Sequence, residues 1–146
     1  MLSSLDTNIL VYAANEDAVE HRLAKDLVDE ALQEPSKWIL SDQVLFELYK
    51  ALRNPKILVR PLDAAGAAKQ VLFWRTKSGF LHCAYDLPSW ETVFEILSRS
   101  DTSYQRTHDI VLGITLARNG VGRFYTRNTK DFEGLGIPQV INPIDL

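Results

Sequence analysis

Short apolar runs separated by longer stretches of helical periodicity recur along the whole chain, and no other pattern in it restricts the possible folds as much. Leu2 to Leu5, Trp38 to Leu40, Phe80 to Ala84, Arg123 to Thr126 and Gln139 to Ile141 each read as a short strand. In Glu20 to Gln33 the apolar Leu23, Leu27, Val28, Ala31 and Leu32 recur at helical spacing opposite Arg22, Lys25, Asp29 and Glu30. Ser41 and Asp42 start a second helix whose Val44, Leu45, Leu48 and Leu52 face inward until Asn54-Pro55 stops it. Pro61 precedes a third, with Ala64, Ala65, Ala68, Val71, Leu72 and Trp74 as its packing face, and Pro88 opens a fourth through Val93, Phe94 and Leu97. A fifth, from about Arg106 to Arg118, carries Ile110, Val111, Ile114, Leu116 and Ala117 and ends at Asn119-Gly120. Strands alternating with helices in this way predict an α/β protein with a largely parallel sheet covered on both faces.

Size allows one such unit. With 146 residues, 46% of them hydrophobic, the chain has the length of a single domain over residues 1–146 and enough apolar content for a core. No apolar run approaches the roughly 18 residues of a membrane span, and the first residues lack a signal-peptide pattern, so a soluble cytoplasmic protein is expected. The lone Cys83 excludes an internal disulfide and a cysteine-based zinc cluster. A net charge of −3 argues mildly against a protein that grips long nucleic acid by bulk positive potential. It does not exclude a nuclease, because a site made of uncompensated carboxylates lowers the net charge by itself. Basic residues gather locally at Arg53, Lys56 and Arg60, at Arg75 and Lys77, and at Arg118, Arg123, Arg127 and Lys130; solvated helix ends are the simpler reading of each.

Acidic and amide residues fall where strands end or helices begin. Asp6 follows the first strand in Leu5-Asp6-Thr7-Asn8, Glu47 sits at the border of the apolar stripe in the segment from Ser41, and Asp109 lies in a first helical turn. Asn128 and Asp131 follow the fourth strand. In open parallel sheets, sites form outside the carboxyl ends of strands where the strand order reverses, so these side chains can converge. Two carboxylates about 4 Å apart at an effective dielectric near 20 repel by roughly 4 kcal/mol, so a cluster needs protons or a cation. An all-oxygen donor set selects Mg2+ or Mn2+ over zinc, and the three histidines are scattered. Such a site suits hydrolysis of phosphate esters by an activated water. Taken singly, each acid has a structural reading as well, Asp6 as a helix cap and Asp109 and Asp131 as partners of helix dipoles.

At these residues the chain resembles the PIN domain family and, within it, VapC-type toxins of toxin-antitoxin pairs. Leu5 to Leu10 looks like the family's opening motif, Ser41 to Glu47 like its second, His108-Asp109-Ile110 like its third, and Thr126 to Phe132 like the closing block. The resemblance implies a three-layer α/β/α sandwich with a five-stranded parallel sheet, and a Mg2+- or Mn2+-dependent endoribonuclease site. It implies a homodimer restrained by a cognate VapB-like antitoxin, with RNA such as tRNA or rRNA as substrate. Carried over by position, Asp6, Glu47 and Asp109 match the acidic triad. Asn128 stands where the family often has Asp, so Asp131 is the residue expected to supply the missing charge, making Asp6, Glu47, Asp109 and Asp131 the metal ligands implied. Thr7 and Thr126 are expected to hydrogen-bond to this set.

Other residues are given structural roles. His108 is assigned a helix-end hydrogen bond, His82 and Cys83 a place in the core, and Trp38, Trp74 and Trp90 packing rather than base stacking. A phosphate-binding Gly-rich loop with Lys and a Gly-x-Ser-x-Gly elbow are both absent, against an NTPase or serine hydrolase. An aspartyl phosphatase wants a second Asp two residues after the first, where Asn8 stands. A weakened module that binds RNA or a partner without turnover is the other alternative, motivated by Asn128 and the net charge.

Overall fold

The computed structural model describes residues 1–145. Its elements run β1 (Leu2–Leu5), α1 (Thr7–Ala14), α2 (His21–Gln33), β2 (Ile39–Ser41), α3 (Asp42–Leu52), α4 (Ala64–Thr76), β3 (Leu81–Cys83), α5 (Leu87–Leu97), α6 (Thr107–Arg118), β4 (Val121–Tyr125) and β5 (Gln139–Ile141). Every expected strand is present, with some ends displaced by a residue or two.

All pairings are parallel. β1, β4 and β5 form one ladder and β2 and β3 another. A bridge between Ser3 and Trp38 joins the two ladders, and the buried Ser4 hydroxyl donates to the Ile39 carbonyl. The resulting order is β3-β2-β1-β4-β5, with β1 central. The chain moves outward from β1 to β2 to β3, then crosses back to β4. Because parallel crossovers are right-handed, the helices of the outward path and those of the return lie on opposite faces. Packing agrees: α1 contacts α2 and α3, and α3 contacts α4, while α5 pairs with α6, which lies against β4 and β2. Three layers therefore follow from topology, and the order reverses between β1 and β4.

The core is continuous through both faces. Leu5, Ile9, Leu40, Val44, Leu48 and Leu52 are fully buried on the first strands and helices, and Ile110, Leu116, Phe124 and Phe132 on the last ones. Helix α6 is buried from Leu112 to Leu116, and a Cβ at Gly113 would stand 2.5 Å from Leu135 Cδ1, so only glycine permits that approach. The helix ends as its sequence indicates, with Gly120 at φ +81 beyond the Asn119 cap. Trp38 stacks on Tyr125 and Phe80, and Trp74 packs on Phe80, as expected of packing groups.

Several expected faces are rotated. In α2 the buried residues are Ala24, Val28 and Ala31, whereas Leu23 is exposed and Leu27 packs against the core. In α4 the buried positions are Ala67 and Trp74, and Leu72 is 56% exposed. On α5, Phe94 and Trp90 are each 55% exposed and stack on one another, so Trp90 is not a core residue. In α2 and α4 a small residue at the contact with the neighbouring helix lets the backbones approach, and larger neighbours turn outward. Among the described residues no helix is long and apolar enough to cross a membrane.

Candidate active site

Asp6 ends β1 and begins α1. Its backbone N–H donates to the Tyr125 carbonyl at 2.9 Å, which pins the end of β1 to the end of β4. Its carboxylate accepts from the Thr7 N–H at 2.7 Å and from the Thr126 hydroxyl at 2.7 Å. Thr126 in turn accepts the Asn128 N–H, and Asn8 accepts the Arg127 N–H, so the segment after β4 is folded onto the start of α1. The two strands on either side of the switch point thus share one polar junction.

Glu47 reaches this junction from α3, where Ser41 caps the helix through the Gln43 N–H. One carboxylate oxygen accepts from the Thr7 hydroxyl at 2.8 Å, the other from Gln43 Nε2 at 2.9 Å. Asp109 comes from the first turn of α6. An open recess of about 310 Å3 is lined by Asp6, Glu47, Asp109 and Asn128, with Thr7, Asn8 and Tyr12 among its other walls. Four of the five residues singled out in the sequence therefore meet. Asp131 is not on that wall; it sits in the 3-10 turn Thr129–Phe132, where its backbone carbonyl accepts from Arg106 and its charge acts on Asp109.

Electrostatics distinguishes the recess from the rest of the surface. Burial pushes the Asp6 carboxyl up to about 6; the Thr126 and Thr7 donors pull against that shift, and the charges of Glu47 and Asp109 reinforce it. Asp109 is raised as well, first by burial, then by Asp131 and Glu47, with Arg106 and His108 opposing. Elsewhere Arg60, Arg75, Arg118 and Arg127 pair with Asp17, Asp42, Asp86 and Glu20. Among the described residues, no Lys or Arg forms an ion pair with Asp6, Glu47 or Asp109. The basic residues Arg118, Arg123 and Arg127 are engaged separately: Arg118 pairs with Asp86, Arg123 donates to Gln139, and Arg127 lies over Tyr12.

As they stand, no three acidic, histidine or cysteine side chains among the described residues share one ligating point. Asp6 and Glu47 each lean on their own donors, and like charges gain by standing apart. The donor set still suits a hard divalent cation: it is all oxygen, it draws on three separate elements, and its most buried member lacks a cationic partner.

The sequence did not point to Gln43, Tyr85 or Arg106 as neighbours of the site. Gln43 stands four residues before Glu47, a spacing that puts both on one helical face and was the available signal. Tyr85 and Arg106 offered none. His108 contributes its backbone carbonyl, which accepts from Gln43, and the residue also lines an apolar cavity between α5 and α6. Cys83 is buried, with its thiol pushed up to about 11, and is chemically quiet. His82 is half-buried rather than in the core.

Fold and recess together define an α/β protein with a candidate site, a set of carboxylates at the switch point of a parallel sheet. The model of the PIN domain matches residues 4–134. Ribonuclease VapC24 of Mycobacterium tuberculosis is 33% identical over 141 residues, covering 97% of this chain and 96% of the relative. Among solved structures, VapBC2 from Rickettsia felis bound to a promoter DNA fragment superposes with a TM-score of 0.65 at 15% identity, covering 97% of this chain and 100% of that one. A toxin-antitoxin complex from Klebsiella pneumoniae gives a TM-score of 0.60 at 22% identity, covering 99% of each chain. The chain belongs to the PIN domain family, among its VapC-type ribonucleases.

Proposed function

We propose that this protein is a Mg2+- or Mn2+-dependent endoribonuclease, the toxin of a VapBC-like pair, and that its chemistry takes place in the recess between β1 and β4. The observation that carries the reading is the convergence of Asp6, Glu47 and Asp109 from three elements, with Asp6 buried and raised to about 6 and no cation of the chain's own against it. A bound divalent cation supplies the positive charge that offsets the carboxylates, steadies the phosphate and favours ionisation of a nearby water. Asp6, Glu47 and Asp109 would hold it. Glu47, gripped by Thr7 and Gln43, orients the water that attacks phosphorus as the bond to the departing 3′ oxygen breaks. Asn128, on the recess wall, offers a neutral oxygen, and the charge of Asp131 strengthens the field at Asp109.

Full-length kinship with a protein named as a ribonuclease supports an RNA substrate. Neighbours solved as toxin-antitoxin and promoter-bound pairs support a VapB-like antitoxin as partner. A homodimer and an intracellular setting belong to the same reading. In the direct test, purified protein is incubated with structured RNA and Mn2+, then with EDTA. Cleavage that depends on the metal and is lost in Asp109→Asn supports the proposal. RNA bound but left uncut by the parent would make the chain a binding module instead.

A further inference from the structure

We propose that Gln43 is a positioning residue that sets Glu47 relative to Asp6 and Asp109, with Tyr85 fixing the orientation of its amide; the inference rests on the metal-dependent reading above. Gln43 is buried, only 7% exposed, so each of its polar atoms needs a partner. Each has one. Nε2 donates to Glu47 Oε1 at 2.9 Å and to the His108 carbonyl at 3.0 Å, and Oε1 accepts from the Tyr85 hydroxyl at 3.2 Å.

Chemistry selects this orientation. A reversed amide would turn its oxygen toward both the Glu47 carboxylate and the His108 carbonyl, two acceptors that can donate nothing in return. The Tyr85 hydroxyl supports the same choice by donating to the oxygen. A Gln and a Glu at i and i+4 on an exposed helix would be an ordinary surface pair of small effect. Here the amide also reaches α6 and the segment before α5, which a surface pair does not do.

The consequence lies in what adjoins the partners. His108, whose carbonyl Gln43 grips, is the residue before Asp109; Thr7, which grips the other oxygen of Glu47 at 2.8 Å, is the residue after Asp6. Glu47 is therefore held directly by the neighbour of Asp6 and, through Gln43, tied to the neighbour of Asp109. Gln43 acts on cation binding through Glu47 and touches neither substrate nor metal.

The experiment measures Mn2+ affinity of metal-free protein by calorimetry and by electron paramagnetic resonance, together with melting curves, for Gln43→Leu, Tyr85→Phe, Asp6→Asn and Asp63→Ala. Asp63 caps α4 away from the recess and controls for destabilisation alone. Gln43→Leu is expected to weaken Mn2+ binding about 10- to 100-fold, as loss of a residue that orients a metal ligand does. Tyr85→Phe should weaken it in the same direction by about 3-fold, the worth of one neutral hydrogen bond. Asp63→Ala should lower the melting temperature and leave affinity unchanged. The Mn2+ concentration giving half-maximal cleavage should rise with the dissociation constant while the saturated rate falls less. Parent-like affinity in folded Gln43→Leu overturns the inference, and should that variant not fold, parent-like affinity in Tyr85→Phe does so. If Asp6→Asn abolishes binding while both these variants bind normally, only the role of Gln43 falls; if the parent binds no Mn2+, the metal reading falls with it.

Discussion

Asp6 and Asp86 hold the same position in two different parts of the molecule. Each follows a strand and caps the next helix, α1 and α5 respectively. Asp86 is open to solvent, accepts from both the N–H and the hydroxyl of Ser89, and stands 3.4 Å from Arg118, which together pull its carboxyl down to about 2. Asp6 is buried, faces Glu47 and Asp109 instead of an arginine, and is pushed up to about 6. A cap needs only the first arrangement. The second costs stability in the isolated chain, and the excess negative charge identifies the region built to receive something positive.

The largest expected difference between the two is catalytic. Asp6→Asn and Asp109→Asn should lower the rate of RNA cleavage by about 100- to 1000-fold, the order seen when one electrostatic contact to a reacting group is removed. Asp86→Asn should cleave as the parent does. Equal losses at Asp6 and Asp86, read in a gel assay with Mn2+ in excess, would erase the contrast.

Acid stability should separate them next, with opposite signs. Asp6 ionises near 3.9 in the unfolded chain and near 6 in the folded one. Below the lower value both states are protonated and its charge costs nothing; above about 6 the folded state bears the full cost, at most roughly 3 kcal/mol. In metal-free protein, the advantage of Asp6→Asn over the parent should therefore grow from pH 4 to pH 6 and then level off. For Asp86 the folded value is depressed, so its stabilisation is present above about 4 and is lost as pH falls toward 2. Urea melts of the parent, Asp6→Asn and Asp86→Asn across this range test both slopes.

A smaller effect is expected at the recess wall. Asn128→Asp adds a carboxylate beside the proposed cation and should tighten Mn2+ binding by about 3- to 10-fold, while lowering metal-free stability slightly. Isothermal titration and thermal melts check the two directions.

Much of this arrangement was readable because it rests on local rules. Alternating strand and helix patterns gave the parallel sheet, and each helix that packs on it showed its period. Asp6 and Asp109 could be placed at element ends, with Thr7 and Thr126 nearby, and Glu47 at the edge of the apolar stripe of α3, because the switch point of such a sheet draws these elements together. What escaped depends on approach distances between remote segments. Ala24 and Ala67 face the interior because a small side chain fits there, which turns Leu23 and Leu72 outward against their hydropathy. Trp90 is exposed because it stacks on Phe94 one turn away instead of on the sheet. Gln43 looked like an ordinary helix residue, since its partner Tyr85 is 42 positions downstream. Asp131 is near enough to raise Asp109 yet does not line the recess as Asn128 does, a distinction that needs the path of the 3-10 turn.

The most direct test is anomalous diffraction from crystals soaked in Mn2+. A manganese peak within ligating distance of Asp6 and Asp109, with Glu47 drawn toward it, is the predicted result. A recess without manganese at concentrations that support RNA cleavage would contradict the account.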